Sequence, residues 1–148
     1  MNIMDSVRKT GVTIEASATI REAAVAMEAA AVGALAVLDD GRLVGIVTDR
    51  DLVCRGLARD VEADARIDSM MSTPVITIDA TADLRAAYRV FGTEAIRRLP
   101  IVDNGAFVGM LTVDDLLVDL TADLADIARP VGAEVLFGHR DSQVPTTD

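Results

Sequence analysis

Apolar positions along this chain switch between two spacings, and the switch is made twice. Short β-branched runs at 12–14 and 75–78 predict strands. Ile20, Ala23, Ala24, Met27 and Ala31 then recur at i, i+3 and i+4 spacing, which predicts a helix with one apolar face. Thr19 with Glu22 has the spacing of a capping box at its start. Next, "ALAVL" (34–38) and "LPIV" (99–102) read as strands that turn back into "LVGIV" (43–47) and "FVGML" (107–111). The turns are Asp39-Asp40-Gly41 and Asp103-Asn104-Gly105, and Asx-Gly between apolar runs is a strong hairpin signal. A second helix is expected from about Asp49 in the first half and Val113 in the second. Each half is thus a β-α-β-β-α unit. A strand–helix–strand crossover needs parallel pairing, so the predicted class is α/β (α+β).

The halves are copies. A slide of 64 positions lays residues 3–57 on 67–121 without a gap, with about sixteen identities. Two copies of this length predict one pseudo-twofold module, divided as 1–63 (first copy with its charged connector), 64–126 (second copy) and 127–148 (tail). The tail, with Pro130, Gly132 and its polar end, is expected to be partly mobile and dispensable for folding, although Val135, Leu136 and Phe137 are apolar enough to dock.

Composition narrows the function classes. The chain has 148 residues, 51% of them hydrophobic but only 3% aromatic, so its core is aliphatic. Its formal charge of −10 argues against nucleic acid as a partner, and any anion must be held by a local basic exception. No apolar run is long enough for a membrane span and no signal peptide is visible, so a cytoplasmic protein is expected. One cysteine, Cys54, makes neither an intramolecular disulfide nor a zinc site by itself. Flanking Arg50 and Arg55 could lower its pKa, but a small packed hydrophobe is the plainer reading. His139 has no partner to activate it, Asp114 and Asp115 are sequence neighbours that do not converge, and no nucleophile–base pair or metal-ligand cluster is visible. Catalysis is not expected.

The repeated run "GIVTDRD" (45–51) and "GMLTVDD" (109–115) carries the candidate chemistry. With the turn before it, each copy reads D-x-G-x-x-V-G-h-h-T-x-x-D, at Asp39–Asp51 and Asp103–Asp115. Together with "IRRLPIVD" (96–103) and "MMSTPVITI" (70–78), this pattern resembles the cystathionine-β-synthase (CBS) domain family over about residues 1–126. The resemblance implies a tandem pair folded as one stand-alone regulatory module, often dimerising into a disc. It also implies two clefts for an adenosine-containing ligand such as AMP, ADP, ATP or S-adenosylmethionine, with no cofactor required.

Two readings of the motif stay open. T-x-x-D entering a helix is a capping arrangement, and this accounts for Thr48 with Asp51 and Thr112 with Asp115 equally. The same junction suits a nucleotide, because a carboxylate can accept both hydrogens of a cis-diol and a helix start offers N–H groups to phosphate. The resemblance implies ribose contact for Asp51 and Asp115, and ribose or phosphate contact for Thr48 and Thr112. Arg97 and Arg98 are candidate phosphate ligands, since Arg binds phosphate oxygens bidentately. Their first-copy counterparts are Gly33 and Ala34, so unlike clefts are expected. Val12 and Ile76 could offer apolar slots to a base. Gly45 and Gly109 are read as packing glycines, and Met70 with Met71 as core. The Ala-rich first helix leaves more apolar surface than one face needs, which predicts at least a homodimer. The expected function is ligand sensing coupled to a regulated partner protein; the alternative is a constitutive dimerisation scaffold without a ligand.

Overall fold

A computed structural model describes residues 2–7 and 11–137, with side chains as far as 132. The first copy supplies β1 (Thr13–Glu15), β2 (Ala34–Asp39) and β3 (Arg42–Thr48). The second supplies β4 (Ile78–Asp79), β5 (Arg98–Asp103) and β6 (Ala106–Thr112). The strands form one sheet of order β1-β2-β3-β6-β5-β4, a mirrored arrangement joined at the centre by the pair Arg42↔Ala106. Each half holds one parallel pair and one hairpin, as the crossover pattern predicts. The hairpin registers repeat at the sequence offset: Leu35↔Val47 becomes Leu99↔Leu111, and the bulge after Val37 reappears after Ile101. The Asx-Gly turns account for this constancy, with Asp40 and Gly41 and likewise Asn104 and Gly105 at positive φ, as such a turn requires.

The predicted strand at 75–78 is corrected: only Ile78 and Asp79 pair. The cause lies across the sheet. In the first copy Ala36 donates its N–H to the Val12 carbonyl at 3.0 Å, which anchors the start of the parallel pair. Pro100 stands at the equivalent place in β5 and has no N–H to give.

Helix α1 (Ile20–Ala30) is capped by Thr19, whose hydroxyl accepts the Glu22 N–H at 3.1 Å. Ala23 and Met27 are buried as predicted, but Ala24 is exposed and Ala31 caps the helix end in the left-handed region. Helix α2 opens as Asp49–Asp51, widens into a π-type stretch at Leu52–Gly56 and closes as a tight turn at Leu57–Arg59. Asp83 caps α3 (Leu84–Glu94). Helix α4 (Val113–Phe137) passes through Pro130, so it outruns the repeat by several turns. Of the expected tail at 127–148, residues 127–137 continue α4; residues 138–148, His139 among them, and the side chains of 133–137 lie outside the described residues, as does the rest of the expectation placed on that tail.

There are two cores, and each borrows from the other copy. Ile67 and Met70, which lead into the second copy, are buried with Leu35, Val37 and Val47 of the first. Ile3, which leads into the first, is buried with Leu99, Ile101 and Leu111 of the second. The leading segments therefore cross, and a linear cut at 63/64 does not separate the packing. The crossing also explains the strand glycines. A Cβ on Gly45 would collide with Met71, while Val7 lies 3.6 Å from the equivalent point on Gly109. The packing reading of both glycines fits this geometry.

Candidate functional site

Because the leading segments cross, two clefts open between the copies. In the first, of about 380 Å³, the end of β3 and start of α2 present Ile46, Thr48, Asp49 and Arg50. Facing them are Ser72, Pro74, Val75 and Ile76 from the crossing segment, and Ile96, Arg97 and Arg98 from the α3–β5 turn. The second cleft, of about 350 Å³, is its pseudo-symmetric relative: Met110, Thr112 and Asp115 of the second copy face Gly11, Val12 and residues 31–34 of the first. Arg98 also lines this cleft. Each cleft therefore joins the T-x-x-D junction of one copy to the strand start of the other. Grouping the candidates copy by copy, as the sequence suggests, does not describe either cleft.

The two T-x-x-D junctions differ. At the first, a full capping box closes. The Thr48 hydroxyl accepts the Asp51 N–H at 3.2 Å, and the Asp51 carboxylate accepts the Thr48 N–H at 2.9 Å. Arg55, one turn on, adds an ion pair to Asp51 at 3.7 Å. Asp51 is thereby committed to its own helix and does not line the cleft; Asp49 is the carboxylate that does. At the second junction only one arm forms: Thr112 accepts the Asp115 N–H at 3.1 Å. Among the described residues the half-buried Asp115 carboxylate accepts no hydrogen bond, and it lines the second cleft beside Thr112. A carboxylate with both oxygens free at a cleft wall can accept a vicinal diol.

The cations are unequal as well. Arg97 meets Asp114 at 3.5 Å, but both side chains are about three-quarters exposed, at 74% and 76%, so the pair holds little energy and Arg97 stays available to the first cleft. Arg98, half-buried at the start of β5, lies against Gly33; a Cβ there would sit 3.3 Å from its Nη2 and 3.2 Å from Asp49 Oδ2. The bare backbone at Gly33 leaves room for the guanidinium where it borders both clefts. The first cleft thus holds Arg50, Arg97 and Arg98 against Asp49, whereas the second holds Arg98 against Asp115. The described linings of the two clefts therefore differ in charge.

Of the sequence candidates, Thr48, Ile76 and Arg97 come together in the first cleft, Val12, Thr112 and Asp115 in the second, and Arg98 in both. Arg50, Asp49 and Ser72 were missed as lining residues. The first two sit inside the T-x-x-D motif and were open to being read; Ser72 reaches the cleft only through its pairing with Ile46, which no local pattern signals. Cys54 is exposed in the π-type stretch of α2 instead of packed, contrary to the plainer reading. No group of three or more possible metal ligands exists among the described residues. No helix among them is long and apolar enough to cross a membrane.

Comparison with known proteins places this geometry. The CBS domain profile matches the chain twice, at residues 4–55 and 65–122. The CBS domain-containing protein YhcV of Bacillus subtilis is 33% identical over 118 residues, which cover 80% of this chain and 84% of YhcV. Among solved structures, the CBS domain protein PAE2072 from Pyrobaculum aerophilum, complexed with AMP, superposes with a TM-score of 0.70 at 26% identity, covering 82% of this chain and 99% of that one. The CBS domain pair of protein MJ0100, in complex with 5'-methylthioadenosine and S-adenosyl-L-methionine, gives 0.73 at 25% identity, covering 83% and 98%. With the doubled profile match and the crossed, pseudo-twofold sheet, this chain belongs to the CBS domain family as a tandem pair.

Proposed function

We propose that this CBS pair is a regulatory module that binds an adenosine-containing ligand between its copies and thereby alters its contacts with a partner protein. The observation that carries the reading is the second cleft, where the uncommitted Asp115 carboxylate and Thr112 face Val12, with Arg98 at one side. Asp115 takes the ribose hydroxyls, Val12 borders the base and Arg98 takes phosphate. AMP, ADP, ATP and S-adenosylmethionine all present the ribose; the arginines favour the phosphorylated members. PAE2072 with AMP and MJ0100 with its adenosine ligands support that ligand class. The ligand acts by population shift, favouring whichever arrangement it binds better; no catalytic step is assigned. The module works in the cytoplasm as a homodimer. Support for pairing comes from α4, where Leu117, Leu120, Leu124, Ile127 and Val131 form an exposed apolar stripe at alternating three- and four-residue spacing.

A ligand-free scaffold is the second reading, favoured by the closed capping box that gives Thr48 and Asp51 a purely structural task. A thermal-shift panel of adenosine, AMP, ADP, ATP and S-adenosylmethionine separates the two. A ligand at 100 times its Kd adds about 2.7 kcal/mol of stability. No shift with any of the five favours the scaffold.

A further inference from the structure

Among the described residues the second cleft has one lining cation, Arg98, and that residue also lines the first cleft, where Arg50 and Arg97 stand beside it. We propose that an anion seated in the first cleft withdraws Arg98 from the second and converts the second cleft from a nucleotide site into a nucleoside site. The inference rests on the ligand class proposed above and adds a direction of control between the clefts.

Oxygens held on opposite edges of one guanidinium are separated by roughly 7–8 Å, no farther than the Debye length of about 8 Å at physiological ionic strength. Salt therefore screens their repulsion incompletely, and the single positive charge between them is shared. The first cleft keeps two further arginines for its anion, whereas the second has no further cation among the described residues. The cost of sharing falls on the second cleft. Its ribose contact is untouched, because Asp115 lines only that cleft. Phosphate recognition is lost there while nucleoside recognition remains. The bare backbone at Gly33 leaves room for the shared guanidinium, because a Cβ there would stand 3.3 Å from Arg98 Nη2 and 3.2 Å from Asp49 Oδ2.

Calorimetric titration of AMP and of adenosine, each with and without saturating inorganic tripolyphosphate, tests this. Tripolyphosphate has no ribose for Asp115 and serves as the occupant of the arginine-rich cleft. In the wild-type chain it should lower AMP affinity about 10-fold or more, the worth of one charge-assisted hydrogen bond, down to the level of adenosine, while adenosine affinity stays constant. Arg98→Gln should bind AMP no better than adenosine, and tripolyphosphate should then change neither. Arg97→Ala should weaken tripolyphosphate binding, so that more tripolyphosphate is needed to lower AMP affinity. If tripolyphosphate binds and AMP affinity does not move, or if adenosine weakens in step with AMP, the shared-arginine account is overturned. If Arg98→Gln retains the preference for AMP, it is overturned too. If neither adenosine nor AMP binds the wild-type chain, the nucleotide reading itself fails, a result distinct from all of these.

Discussion

Two aspartates that align in sequence should fail in opposite ways when replaced. Asp51→Ala removes the carboxylate that accepts the Thr48 N–H at 2.9 Å and faces Arg55 at 3.7 Å. The half-buried Thr48 N–H loses its partner, and one arm of the α2 cap is gone. Cap losses cost about 0.5–2 kcal/mol, which for a chain of this size lowers Tm by roughly 2–4 °C per kcal/mol. Asp115→Ala keeps the α4 cap, because Thr112 accepts the backbone N–H that alanine still carries. Only an acidic group in the first turn is lost, worth about 0.3–1 kcal/mol, and Asp114 remains in that turn. Binding should follow the reverse order. If Asp115 holds the ribose, its loss removes a charge-assisted bond worth about 1.5–3 kcal/mol, or roughly 10- to 100-fold in affinity. Asp51→Ala should leave adenosine affinity near wild type. Urea denaturation read beside calorimetric titration with adenosine measures both quantities on the same samples. Equal losses of affinity in the two variants, or a loss of stability alone at Asp115, would refute the division of labour.

Three further outcomes are expected. Ile3→Ala and Ile67→Ala should each destabilise the fold by about 2–5 kcal/mol in urea denaturation, because each side chain is fully buried in the core of the other copy; a loss below about 0.5 kcal/mol for either would contradict the crossed packing. On the proposed pairing through α4, wild type should scatter as a dimer and Leu124→Glu, at the centre of the stripe, as a monomer with unchanged far-ultraviolet circular dichroism; a monomeric wild type or an unchanged variant mass would contradict that pairing. The Arg66 hydrogen bond holds Asp68 below its ordinary value of 3.8, so its contribution is present above that pH and fades as pH falls through the lower folded-state value. Asp68→Asn should flatten that part of the acid limb in pH-dependent denaturation, and an unaltered limb would show that the pair does not stabilise the fold.

What could be read in the sequence was local. Asx-Gly between apolar runs gives hairpin register directly, and the 64-residue offset carries that register from one copy to the other. The shortening of β4 was also within reach, since Pro100 inside a strand announces a missing donor. The crossing of the leading segments was not, because periodicity reports which face of an element is apolar but not which copy covers it. Ile3 and Ile67 have no periodic neighbours, and their burial is settled only by tertiary packing. That crossing in turn decides which residues share a cleft, so Thr112 meets Val12 instead of Ile76. Pro130 and Gly132 read as the end of regular structure, yet α4 continues through them, its Ala, Leu and Arg residues being good helix formers. The T-x-x-D motif was found twice and read as one chemistry. Arg55 follows the first motif where Asp119 follows the second, and that difference in sequence marks the junction whose carboxylate is engaged.

On the proposed reading, ligand recognition is built across the copies, with the carboxylate of one and the apolar wall of the other. A crystal structure of the chain with bound AMP tests it most directly. Both ribose hydroxyls should lie about 2.6–3.0 Å from the Asp115 carboxylate, with the base against Val12 and the phosphate on Arg98. A ribose bound to Asp51, or clefts left empty at saturating AMP, would contradict the account.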